Sequence, residues 1–204
     1  MGCDGHSAYQ VRGADGKWTT VAVDLIKDRW YSLFSLLVGY DHPRATFMEP
    51  LIPPRGLPPD LEHRVQGDFK TVFVPFEGKE YKLGWHNHSW YTLAELKDKS
   101  AKRRRVASAL LTPEDLADWD GQCDPRHVYE LEAKEDHDGQ DSTVLSRDEY
   151  EVKTKLGLSL RDENVLVRVW FEAEPNVSGF IADMEKLIVD EDETSVRMLI
   201  GLDS

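Results

Sequence analysis

Tyr9-Gln-Val-Arg-Gly-Ala-Asp-Gly-Lys-Trp-Thr-Thr-Val-Ala-Val23 is the stretch that decides the fold class. Two runs rich in β-formers, 9–12 and 17–23, flank Gly13-Ala-Asp-Gly16, so the spacing predicts a hairpin. On its N-terminal side stands Met1-Gly-Cys3-Asp4-Gly5-His6-Ser7, which sets a thiol, a carboxylate and an imidazole within four residues. A terminus normally frays, but entry into a strand would tie these three groups into the body.

Beyond the hairpin, Asp28 is placed to cap a helix over 29–38, with Trp30, Leu33, Phe34 and Leu37 at helical spacing and Gly39 as its stop. Pro43, Pro50, Pro53, Pro54, Pro58 and Pro59 restrict helix and central-strand geometry over 40–60 and predict an ordered loop around Arg55-Gly-Leu-Pro58. A strand over 69–74 is limited by Pro75. Trp85-His86-Asn87-His88-Ser89 reads as a loop leading into a helix whose start carries the capping box Thr92-Leu-Ala-Glu95. Thr112-Pro113, Ser146-Arg-Asp-Glu149 and Ser178 mark further helix starts, and 165–171 and 196–200 read as strands. The expectation is α+β: one compact domain over 1–204, with short mixed or antiparallel strands and about four helices.

Twenty-five basic against 38 acidic residues give a formal charge of -13 and a pI near 4.9. That field opposes broad binding to nucleic acid or anionic membrane. Lys97–Arg105 is the one dense basic run and reads as a solvated helix surface. Acidic stretches near Glu135 and Asp190 offer a surface for a basic host protein. No apolar run reaches membrane-spanning length, no secretion signal is legible, and Cys3 and Cys123 belong to no closely spaced thiol motif. Cytoplasm is the expected location.

The chemistry-bearing residues fall into two sets. Cys3, Asp4, His6 and His86 supply sulfur, oxygen and nitrogen donors suited to a divalent metal ion such as zinc. The same groups also suit a non-metal ligand, a thiol nucleophile with a histidine base, or structural hydrogen bonding, the commonest outcome for such a group. Arg29 and Arg55, with His86 and His88, are the candidate ligand-binding set, because the guanidinium fork matches phosphate or carboxylate. An internal ion pair bracing the Pro-rich loop is the alternative reading of the arginines. No glycine-rich phosphate loop or zinc-protease helix motif occurs.

Met1-Gly-Cys3-Asp4-Gly5-His6, Asp28-Arg-Trp-Tyr31-Ser-Leu-Phe34, Pro54-Arg-Gly-Leu-Pro58 and His86 followed by Ser89-Trp-Tyr-Thr-Leu-Ala-Glu95 occur in this order. Together they resemble an uncharacterised family of bacteriophages and bacteria with a Met-Gly-Cys-Asp-x-His opening. Gly84 stands where that family has an aspartate, and Leu202-Asp203-Ser204 replaces its aromatic-Asp-Asn ending. The resemblance implies a phage-type accessory or anti-defence protein working in the host-cell cytoplasm. The residues add binding of a small anionic ligand such as a nucleotide. A metal-assisted hydrolase of a phosphate-containing substrate and an acidic protein-interaction module are the alternatives.

Overall fold

The computed structural model describes residues 3–26, 31–41, 47–100, 104–121, 143–156, 165–188 and 190–203. The hairpin forms as the sequence requires: β1 (Asp4–Arg12) pairs antiparallel with β2 (Trp18–Ile26). Its turn is closed by the Gly13 N–H donating to Lys17 O at 2.8 Å, with Gly16 at φ 80°. That positive φ is the reason for glycine there.

β1 also pairs antiparallel with β11 (Val196–Asp203), the last strand, and β11 with β7 (His86–Thr92). The main sheet therefore runs β2-β1-β11-β7. Seven of the eight residues of β11 are buried, as a central strand covered on both faces demands.

One face of the main sheet is covered by helices. α1 (Tyr31–Val38), α2 (Leu93–Ser100) and α5 (Ser178–Glu185) bring Phe34, Leu37, Leu93, Leu96 and Met184 against Tyr9, Tyr91, Met198, Ile200 and Leu202. Gly5 admits α1, because a Cβ there would lie 2.5 Å from Phe34 Cε1. The other face packs on a small sheet of β4 (Arg64–Gln66), β5 (Thr71–Phe76) and β6 (Lys79–Gly84) through Ala8, Leu199, Val72, Val74 and Leu83. β5 continues through Pro75. Pairing with β4 ends at Phe73, so the missing proline N–H leaves no bond to that neighbour unmade.

A third sheet contains β3 (Phe47–Met48), β8 (Arg105–Leu111), β10 (Val165–Ala173) and β9 (Thr143–Ser146). Only the β9–β10 pairing is parallel. α3 (Pro113–Asp118) covers one face of this sheet, and α4 (Arg147–Lys155) follows β9 directly. The result is the expected α+β domain, with five helices among the described residues. No described helix is long and apolar enough to cross a membrane.

Two local expectations are corrected. His86–Ser89 is strand rather than loop, because β11 supplies a pairing edge that local sequence cannot show. The basic run is not one helix surface: α2 stops at Ser100 and Arg105 opens β8, with 101–103 outside the described residues. The Pro-rich loop is ordered where described. The Leu51 N–H donates to Leu36 O and the Gly56 N–H to His88 O, and a left-handed Gly39 at φ 63° ends α1 beside Pro54.

Candidate functional site

Register brings distant parts of the sequence to one end of the main sheet. Asp4 lies opposite Asp203, and Leu202 opposite His86. Between the Ile200–Ser89 and Leu202–His86 pairs, Gly201 alone of β11 faces both Asn87 and His88 of β7, a bulge with Asn87 at φ 49°. Asparagine tolerates that left-handed backbone better than most side chains. The extra residue sends His86 and His88 to opposite faces, whereas a regular strand would align them.

On the helix face, Cys3 is 1% exposed and its Sγ lies 3.9 Å from His86 Nε2. His86 Nδ1 lies 2.7 Å from Asn87 Oδ1, and the Asn87 amide donates to Val38 O at 3.3 Å. That second bond orients the amide: its NH₂ is turned to Val38, so Oδ1 accepts from a protonated Nδ1. Nε2 is left as the lone pair facing the thiol. The rings of Trp85 and Tyr40 flank His86 at 4.3 and 5.8 Å. Burial pushes the Tyr40 hydroxyl pKa up, with a further push from Cys3.

On the opposite face, His6 Nε2 is 3.8 Å from Asp203 Oδ2, beyond hydrogen-bond length, and the carboxylate also pairs with Lys82. Burial lowers the His6 pKa; the Asp203 charge opposes that and Lys82 reinforces it. Tyr81 sets its ring edge-on to His6 and donates its hydroxyl to Asp24 O at 2.6 Å. His88 faces this side as well, with Nε2 3.3 Å from Gly84 O.

The expected metal quartet is thus divided. Cys3 and His86 meet on one face, His6 turns to the other beside Asp203, and Asp4 is exposed at the strand entry. Among the described residues no three His, Cys, Asp or Glu side chains group to hold a metal ion. At position 84 an acid does not fit. The backbone is left-handed at φ 94°, and Leu202 backbone atoms occupy the space of a Cβ.

Arg29 lies outside the described residues. Arg55 is engaged internally: it grips Glu95 through two bonds of 2.8 and 3.0 Å, donates to Trp90 O, and stacks 3.7 Å over the Trp90 ring. Burial alone would raise the Glu95 pKa, but bonds from Arg55 and the Thr92 backbone bring it below its ordinary value. The internal ion pair is therefore what the structure shows, bracing the loop on α2 and β7. The described residues of the basic run are engaged internally. Lys97 pairs with Glu185 and Glu193, Arg104 with Glu172, and Arg105 donates to Pro50 O and Leu51 O.

A cleft that sequence reading missed opens where β9 turns into α4 and β10 runs on past it. It measures about 520 Å³ and is lined by Trp119, Val144–Asp148, Arg168, Val169 and Trp170. Arg168, which donates to Ser108 Oγ at 2.9 Å, is partly buried, and that burial lowers its pKa. Trp170 is 56% exposed although it sits within a strand. The legible signal was Arg168 and Trp170 at i and i+2, which with Glu172 set polar and aromatic side chains on one face of a strand whose other face is apolar. No protein-family model, curated protein or solved structure matches the chain.

Proposed function

We propose that the protein binds a small anionic ligand carrying an aromatic ring, of the nucleotide class, in the cleft between β10 and the start of α4. The observation that carries this reading is the joint presence of Arg168, Trp119 and Trp170 around one ligand-sized space. Clefts of roughly 300–1,000 Å³ hold small ligands, and this one falls within that span. A guanidinium offers paired donors to a phosphate, and an indole offers a stacking face to a base. The opening turn of α4 adds the positive end of a helix, although its capping box already uses the Ser146 and Glu149 N–H groups. Arg168 thus takes the role that the sequence suggested for Arg29 and Arg55. The resemblance to the phage family supports the setting of an accessory or anti-defence protein that sequesters such a ligand in the host cytoplasm.

Isothermal titration with adenosine mono-, di- and triphosphate, and with inorganic phosphate, tests the reading. Nucleotides should bind more tightly than phosphate and quench tryptophan fluorescence. Losing one charge-assisted contact costs about 1.5–3 kcal/mol, so Arg168→Met should weaken binding roughly 10- to 100-fold. Trp170→Ala, at an exposed position, should weaken nucleotide and spare phosphate. Equal affinities in the native chain and both variants would place the ligand elsewhere.

A further inference from the structure

We infer that Cys3 and His86 form a thiol–imidazole catalytic pair, positioned by Asn87, that acts on a small activated acyl group. This site lies on the main sheet, apart from the cleft, and stands independently of the ligand-binding reading.

Three observations carry it. The thiol faces His86 Nε2 at 3.9 Å. Asn87 holds the opposite ring nitrogen at 2.7 Å and is itself anchored to Val38 O, so the nitrogen facing sulfur is the proton-accepting one. The bulge in β7 carries Asn87 in a left-handed backbone that asparagine tolerates, and it turns His86 toward Cys3. A nucleophile, a base within reach and a third group fixing the base are the working parts of a thiol catalyst. Contacts of this kind run long in unliganded sites and tighten when substrate binds. The 1% exposure of Cys3 restricts the acyl donor to a small one.

In the step proposed, the Cys3 S–H proton passes to His86 Nε2 as sulfur attacks the carbonyl carbon. The bond from that carbon to the leaving group breaks, and the leaving group takes the proton from His86. Water, deprotonated by His86, then cleaves the thioester and regenerates the thiol. The balance is acyl donor plus water giving carboxylic acid plus leaving group.

The probe is p-nitrophenyl acetate on the folded chain, followed by p-nitrophenolate absorbance and by peptide mass mapping. The expected result is a stoichiometric burst with the acetyl group on Cys3, abolished in Cys3→Ala and retained in Cys123→Ser. General-base catalysis is worth about 100-fold or more, so His86→Ala should slow the burst by at least that factor while thermal melts show the variant folded. Asn87→Asp keeps the acceptor but sets a negative charge against the ring nitrogen of His86. It should therefore change the shape of the pH–rate profile of the burst, which a packing role would not do. Acetylation of Cys3 only in urea, or at one rate in the native chain and in His86→Ala, overturns the inference.

Discussion

Two imidazoles are held toward their neutral forms by burial. His6 is lowered by burial and by Lys82 against the pull of Asp203; His88 is lowered by burial and by His86 and His63 against its bond to Gly84 O. Both thus titrate below the ordinary 6.5. Between the folded and unfolded pKa values the unfolded chain binds more protons, so stability rises with pH across that window. Their contribution is complete above about pH 6.5 and is lost as pH falls below it. The half-buried carboxylate Glu95 has its pKa lowered, and its contribution fades only below its ordinary 4.5, which separates the two windows. Urea midpoints should therefore fall between pH 8 and pH 5.5, and His6→Gln with His88→Gln should flatten that fall. An unchanged slope in the double variant would assign the dependence to other histidines. At this scale the sequence showed that Cys3, Asp4 and His6 are anchored by a strand. It did not show that Asp203 and Lys82 surround His6, since those partners arrive through β11 and β6. Arg197 escaped notice for the same reason. It is 2% exposed, bonded to Gln10 and Asp60 at 2.8 and 2.6 Å, and stacked 4.1 Å over Trp18, yet in sequence it is one charge in an apolar run.

Helix starts were the most legible elements, because a capping box is complete within four residues. Thr92 and Glu95 exchange hydrogen bonds of 3.0 and 3.2 Å, and Ser146 and Glu149 bonds of 2.8 and 3.2 Å. Short strands were the least legible. Phe47–Met48 and Arg64–Gln66 carry no alternation of their own and exist because β8 and β5 offer edges. Two glycines show opposite sensitivities. A Cβ on Gly201 would meet the Leu83 carbonyl oxygen and lie 2.6 Å from His88 Cδ2, so β11, β6 and His88 all resist it. Overpacking of this kind costs about 1–3 kcal/mol. Gly179, in the first turn of α5, has nothing within 4 Å of its Cβ position. There alanine should stabilise by about 0.5 kcal/mol through helix propensity. Chemical denaturation of Gly201→Ala and Gly179→Ala should move the midpoint in opposite directions. Destabilisation by both would mean that α5 needs its glycine for something other than space.

Across the whole molecule, β11 is the strand on which assembly depends. It lies between β1 and β7, and it presents Met198, Ile200 and Leu202 to the helix-side core and Leu199 to the small sheet. Val196, Met198, Leu199, Ile200 and Leu202 are all at 0% exposure. Its pairings join residues far apart in sequence, so loop closure must be met before either core can close. Two changes to this strand should differ in kind. Ile200→Ala removes buried methyl groups and leaves a cavity, a loss of about 2–5 kcal/mol against a typical total of about 5–15 kcal/mol. It should unfold cooperatively at a lower denaturant midpoint. Deleting residues 196–204 leaves β1 paired only with β2, removes the strand that β7 pairs with, and uncovers two cores at once. That chain should show no sigmoidal melt by circular dichroism and should bind a hydrophobic dye. A cooperative transition surviving the deletion would show that the β1–β2 hairpin and the small sheet hold a core without the central strand, contrary to the pairing order.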